Sequence, residues 1–234
     1  MKKLLETADA AVADINDGAV VAVAGFGLCG IPENLIDALV RKGSKHLTLI
    51  SNTCGTDNQG VGLLIANGQV DHVIASYVGE NAVVERMAAE GTLTYDLMPQ
   101  GSIAEALRCG GMGIPVFYTP AGVGTVRAEG RETRTFDGRD YLMEHALKPD
   151  FSLVKAYRGD PTGNLRFRYT ARNFNPCMAM AGKVSIAEVE IMEAVGGIEP
   201  DDIHLAGIYV DRIVLGTEYR KPIERLTTRP RQAC

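Results

Sequence analysis

Tryptophan is absent from this chain of 234 residues, and aromatic residues together make up only 6% of it. Its core must therefore be built from Val, Ile, Leu and Ala rather than from large rings. Cysteine is scarce and scattered. Cys29, Cys54, Cys109, Cys177 and Cys234 are odd in number and form no Cys-x-x-Cys pair. That argues against a disulfide framework or a zinc site, and we expect a reducing, cytoplasmic setting. An excess of positive charge is also missing: 24 Lys and Arg stand against 29 Asp and Glu, a net charge of −5. General nucleic-acid binding normally needs a basic face and is not expected. A small anionic ligand is still allowed, because backbone N–H groups can hold one. No apolar run reaches the ~20 residues needed to cross a bilayer. The most apolar stretch, residues 19–32, is broken by glycine and flanked by Asp17 and Glu33, so no membrane partner is expected. The first 17 residues carry four acids and do not read as a signal peptide. They place Leu4, Leu5, Ala8, Val12 and Ile15 on one helical face.

Glycine, by contrast, is plentiful: 26 of 234 residues, above the usual share of roughly 7%. Short β-rich runs alternate with helical ones. Residues 19–24 (AVVAVA) read as a buried strand. Residues 33–42 read as a helix with Leu35, Ile36, Leu39 and Val40 on one face and Pro32 at its first turn. Strands follow at 46–51, 72–76, 93–98 and 116–119, and helices at 60–66, 80–90 and from Ser102, where Ser102 and Glu105 have capping-box spacing. This alternation predicts a mostly parallel sheet flanked by helices, an α/β fold. Later, Asp137-Gly138 between residues 132–136 and 139–142 signals a hairpin. Residues 151–156 and 183–191 read as strands, and residues 160–164 as a turn. We expect one domain over residues 1–234, with added antiparallel strands and a polar surface extension at 219–234.

Three segments could carry chemistry. The first is the loop Gly25-Phe26-Gly27-Leu28-Cys29-Gly30, set between a strand and a helix. Its glycines permit positive φ and close backbone approach, and the helix start presents free N–H groups to an anion. Gly25, Gly27 and Gly30 also match the dinucleotide pattern G-x-G-x-x-G. That reading needs an acid about 20 residues on, and Ser51-Asn52 stands there instead. A glycine turn that only packs is the plainer alternative. The second is Pro99-Gln100-Gly101, where Gln100 would project from the carboxyl end of a strand with two donors and an acceptor, unless it is simply a surface turn residue. The third is the glycine cluster at residues 110–113 and 122–124, with Gly110 read as a helix C-cap. His46, His72, His145 and His204 are isolated, so no metal is expected, and no Ser sits in a G-x-S-x-G elbow. Cys29 fits as a small packing residue. Glu80 could be a nucleophile, but a solvated Glu at a helix start explains it as well.

Taken together, several segments resemble the family I CoA-transferases. They are Asp17-Gly18, Ala24-Gly25-Phe26 with Gly30 and Pro32, Leu49-Ile50-Ser51-Asn52, Pro99-Gln100-Gly101, Gly122-Val123-Gly124-Thr125, Lys155-Ala156 and Ala171-Arg172-Asn173-Phe174-Asn175. The family normally has Gly where Ala24 stands. Residues 76–81 and 223–226 look most like the A subunits of enzymes acting on succinyl-CoA and a 3-oxoacid such as acetoacetate. Acetate and 3-oxoadipate enzymes are the nearest alternatives, and a non-enzymatic ligand-binding protein of the same fold is another. The resemblance implies ping-pong transfer through a catalytic Glu in a Ser-Glu-Asn-Gly context, which belongs to the B subunit and does not occur here. It implies no permanently bound cofactor, with coenzyme A as a substrate, and a partner B subunit, two A with two B. It further implies that Ala24, Gly25, Phe26, Gly27, Leu28, Cys29 and Gly30 contact CoA, that Gln100 binds a carboxylate or oxyanion, and that Asn52 joins the substrate pocket.

Overall fold

A computed structural model describes residues 3–224. In chain order its elements are α1 (Ala8–Ala11), β1 (Val20–Val23), α2 (Glu33–Lys42), β2 (Leu47–Ile50), α3 (Gly62–Ala66), β3 (Val70–Ala75), α4 (Ala82–Ala89), β4 (Thr94–Leu97), α5 (Gln100–Met112) and β5 (Val116–Thr119). There follow β6 (Thr133–Phe136), β7 (Arg139–His145), β8 (Phe151–Gly159), β9 (Leu165–Arg166), α6 (Asn175–Ala181), β10 (Val184–Met192) and β11 (Arg212–Leu215).

The main sheet runs β11-β10-β8-β1-β2-β3-β4, with every one of these pairings parallel and β9 added antiparallel to β8. Side chains alternate across it with period two. From β1, Val21 and Val23 face one apolar core with Leu35, Ile36 and Leu39 of α2, while Ala22 and Ala24 face a second with Ile103 and Leu107 of α5 and Met178 of α6. Small Ala22, Ala24, Ala156 and Ala187 on the second face let α5 and α6 lie close to the strands. Each fully buried Leu or Ile here contributes about 1.5–3 kcal/mol.

Helix α2 forms where the apolar spacing placed it and ends on left-handed Gly43, whose N–H reaches the Leu39 carbonyl. Its start has no side-chain cap of its own. Instead, buried Glu188 of β10 accepts a 2.9 Å bond from the Leu35 amide.

Four expectations are corrected. Only Ala8–Ala11 of the first 17 residues is helical, and Leu4 instead bridges to Ile213 beside β11. Helix α5 starts at Gln100 after Pro99, and Ser102 and Glu105 form no capping box: the Ser102 hydroxyl is buried without a partner and Glu105 pairs with Arg108. Strand β5 leaves the parallel sheet and joins a three-stranded antiparallel sheet, β5-β7-β6. The Asp137-Gly138 hairpin supplies it with an antiparallel neighbour: β7 pairs with β5 at Phe117 and Glu144, while β4 remains the edge of the parallel sheet. The Asp137-Gly138 hairpin forms as expected, with φ of 51° and 76°, the positive pair of a type I′ turn. Gly110 is not a C-cap. It lies inside α5 against the Leu147 carbonyl, Gly111 lies against Met180, and Gly113 caps the helix.

The tail does not run free as far as it is described. Arg220 and Lys221 give their amides to Glu33, and Arg220 also pairs with Asp37. Residues 225–234, the rest of the expected extension, lie outside the described residues.

Candidate functional site

Parallel strands bring all their carboxyl ends to one edge of the sheet. Connections from β1 run to β2, β3 and β4 on one side, while β8, β10 and β11 extend the other side. The direction of winding reverses between β1 and β8, and open α/β sheets bind ligands in the crevice at such a point. A cavity of about 300 Å³ lies there. Its walls include Leu28, Cys29, Gly30 and Ile31 after β1, Lys155 of β8, residues 168–171, Glu190 of β10, and residues 221–223.

The glycine loop is a miniature hairpin. The Phe26 amide bonds the Cys29 carbonyl, and the Cys29 amide bonds the Phe26 carbonyl, both at 3.0 Å. Gly25, Gly27 and Gly30 have φ of 131°, 56° and 77°. A Cβ on Gly30 would stand 2.6 Å from the Ala171 carbonyl oxygen. Backbone angle and backbone approach therefore both demand glycine at this position.

Distant residues hold the hairpin. Asn173 Nδ2 donates to the Cys29 carbonyl at 2.9 Å, and Asn175 Nδ2 donates to the Gly30 carbonyl at 3.1 Å. Asn175 also donates to the Ala171 carbonyl at 2.8 Å and accepts from the Lys155 amide at 2.6 Å, so this fully buried amide stitches three segments together. With both carbonyls turned inward, the Gly30 and Ile31 amides make no hydrogen bond among the described residues. The Leu28 amide at the tip donates to a carboxylate, Glu224 Oε1, at 2.5 Å. A row of backbone donors, one already holding a carboxylate, is an anion-binding concavity.

Below the cavity, Glu188 is fully buried. Burial pushes its carboxyl up to about 7, and the Leu35 amide and the nearby Lys155 charge oppose that rise. Lys155 pairs with Glu190 at 3.1 Å and lies 4.1 Å over the Tyr219 ring. Lys221 shares the same Glu190 at 2.7 Å. Burial acts to raise the Glu190 carboxyl as well, but the hydrogen bonds and charges of these two ammonium groups outweigh it and hold the group below its ordinary range.

Of the residues singled out by sequence, Leu28, Cys29 and Gly30 line the cavity, Ala24 is buried beneath it and Phe26 is half exposed. Cys29 Sγ lies 3.6 Å from Thr170 Oγ1. Asn52 is buried one strand away. Its Nδ2 donates to Ser76 Oγ at 2.9 Å, while its Oδ1 is buried with no donor. Gln100 is exposed at the first turn of α5, after β4. Three strand spacings separate β4 from β1, about 14 Å, so Gln100 shares the sheet edge but not the cavity. Asn81, next to Glu80, caps α4 by accepting from the Val84 amide. Among the described residues no group of three His, Cys, Asp or Glu could hold a metal ion. Sequence reading assigned no role to Arg168, Glu188, Glu190, Lys221 or Glu224. The only signals were Lys155, Asn173, Asn175 and residues 223–226 inside the quoted motifs.

Comparison with known proteins agrees with this architecture. The Coenzyme A transferase family profile matches residues 5–216. The chain is 50% identical over 229 residues to the A subunit of the succinyl-CoA:3-ketoacid coenzyme A transferase of Helicobacter pylori strain J99, covering 98% of this chain and 99% of that one. It is 52% identical over 227 residues to the A subunit of a probable succinyl-CoA:3-ketoacid coenzyme A transferase of Bacillus subtilis, covering 97% and 95%. Among solved structures, a variant of the decarboxylase AibA/AibB superposes with a TM-score of 0.76 at 29% identity, over 92% of this chain and 84% of that one. An acyl-CoA transferase of Escherichia coli O157:H7, solved as a thioester complex with CoA, shares the fold with a TM-score of 0.80 at 24% identity, over 92% of this chain and 47% of that one. A glycine hairpin at the switch point of this sheet and a profile match spanning nearly all the described residues lead to one assignment: the chain belongs to the coenzyme A transferase family.

Proposed function

We propose that this chain is the A subunit of an enzyme that moves CoA between succinyl-CoA and a 3-oxoacid such as acetoacetate. The observation that carries the reading is the end-to-end similarity, at half identity, to chains bearing that activity. The nucleophile comes from a B subunit, since no Ser-Glu-Asn-Gly occurs in this chain. The partner's Glu carboxylate attacks the thioester carbonyl and expels CoA thiolate, leaving an acyl-glutamyl anhydride. The thiolate then attacks the glutamyl carbonyl and releases the first acid as its carboxylate. The second acid runs the two steps in reverse and leaves as its CoA thioester.

This chain's share is binding and polarisation. Ala24, Gly25, Phe26, Gly27, Leu28, Cys29 and Gly30 form the CoA-contacting wall, with backbone amides as donors. Gln100 donates from Nε2 to the oxygen that gains charge at each tetrahedral step, and Asn52 belongs to the same substrate pocket. Coenzyme A is a substrate, not a resident cofactor. Two A and two B subunits assemble in the cytoplasm. Among the described residues no helix is long and apolar enough to cross a membrane.

The test is co-purification of this chain with a B chain carrying Ser-Glu-Asn-Gly, followed by CoA transfer assays with succinate, acetoacetate, acetate and 3-oxoadipate. Activity should require both chains and be highest with the first two acids. Full activity from this chain alone, or a preference for acetate or 3-oxoadipate, would overturn the assignment. In the complex, Gln100→Ala should lower kcat by roughly 100- to 1,000-fold while the melting temperature stays unchanged.

A further inference from the structure

The charges around the cavity do not balance. Of the three cationic side chains on its walls, Lys155 and Lys221 share the single carboxylate of Glu190. The third, Arg168, has no carboxylate within ion-pair distance among the described residues. Its guanidinium is instead gripped by aromatic rings, 4.8 Å from the Tyr157 centroid and 4.9 Å from that of Tyr169. Contacts of this kind hold the planar fork in one orientation; the Tyr169 side chain also accepts a hydrogen bond from it, which leaves the other N–H donors available. Tyr169 makes its contact from a left-handed backbone, φ 51°, with 81% of its surface exposed. An aromatic residue seldom adopts that conformation, and such strain gathers at ligand clamps. Gly30 and Ile31, whose amides make no hydrogen bond among the described residues, line the same cavity.

We infer that Arg168 is a specificity-determining residue that binds an anionic group of the substrate in the cavity that the glycine hairpin also lines. A pre-oriented guanidinium presents two parallel donors, which suit a carboxylate or a phosphate. The anion is therefore either the free carboxylate of a dicarboxylic acyl group or a phosphate of CoA. The identity of these substrates rests on the reading above. The anion site itself rests on a guanidinium that has no ion-pair partner among the described residues and feels the Glu190 charge only from farther off, on the ring clamp and on the cavity.

Two measurements separate the outcomes. In the first, the side-chain Nε–H signal of Arg168 in the ¹⁵N-labelled A–B complex is assigned by its loss in Arg168→Gln. It is then followed on addition of succinate or of adenosine 3′,5′-bisphosphate. A saturable shift with either probe is expected, and it would stand even if the complex proved to transfer CoA between other acids. In the second, Arg168→Gln in the complex should raise the KM of the affected substrate by roughly 10- to 100-fold, with Arg168→Lys intermediate because the ammonium keeps charge but loses the fork. A rise confined to succinate and succinyl-CoA assigns the acyl carboxylate. A rise shared by every CoA thioester and lost with acyl-pantetheine assigns the phosphate. All KM values within twofold of wild type, with no shift from either probe, would overturn the inference.

Discussion

Two regions on the same edge of the sheet are built in opposite ways. Around β1 and β8 the chain ties itself down. Asn173 and Asn175 hold the hairpin carbonyls, Glu224 holds its tip, and Glu188 caps α2 directly behind it. Around β4 the chain leaves itself open. All four residues of that edge strand are exposed, Tyr95 and Leu97 by 42% and 49%, and Gln100 follows in the open. The clamped region can present backbone donors in fixed directions without help. The open region places a side chain on the edge but supplies no wall around it. A site assembled from both would need its remaining surface from elsewhere, in keeping with a partner chain.

The largest effect is expected at Asn175. Replacing it with Ala removes a buried cross-link and leaves the Lys155 amide and two carbonyls unpaired, so urea unfolding should show a loss of about 3–5 kcal/mol. A loss below about 1 kcal/mol would mean that the clamped region is not held by this side chain.

A smaller effect is expected at Glu188, and it depends on pH. Burial raises its folded carboxyl above the unfolded value. The folded state therefore holds the proton more tightly than the unfolded state, and this group's contribution falls as pH rises from about 4.5 to about 7. Glu188→Gln should remove that slope. Relative to wild type, the variant should gain on the order of 1–3 kcal/mol between pH 4.5 and 8, measured by chemical denaturation at each pH. Parallel pH profiles for the two proteins would show that Glu188 ionises in both states alike.

The smallest effect belongs to the open side. Leu97→Ala should change the stability of this chain by no more than about 0.5 kcal/mol, read from the same urea curves. A larger loss would show that β4 is integral to this chain's own stability.

How much of this was legible in the sequence varies with the range of the interactions. The β1–loop–α2 segment could be read because every signal in it is local: an apolar run, glycines at turn positions, and apolar residues at helical spacing. The Asp137-Gly138 hairpin could be read for the same reason. The capping box at Ser102 and Glu105 misled because Pro99 had already set φ for a helix start two residues earlier, and Arg108 took the Glu105 carboxylate. Strand β5 misled because its local pattern is that of any half-buried strand and does not say which sheet it enters. Glu188, Glu190 and Glu224 look like ordinary acids in sequence. Their partners at Leu35, Lys155 and Leu28 lie between 35 and 196 residues away.

By itself, the sequence determined the alternation of elements, the aliphatic core that a chain without tryptophan must have, and the glycine turn with its free amides. Those follow from backbone sterics and from periodicity, which act over a few residues. Only the folded arrangement settles where the turn sits, which asparagines hold it, and which of three cations beside it has no ion-pair partner among the described residues. Those outcomes depend on strand order, because the switch between β1 and β8 is what brings residues 28–31, 155, 168, 190 and 221 to one cavity.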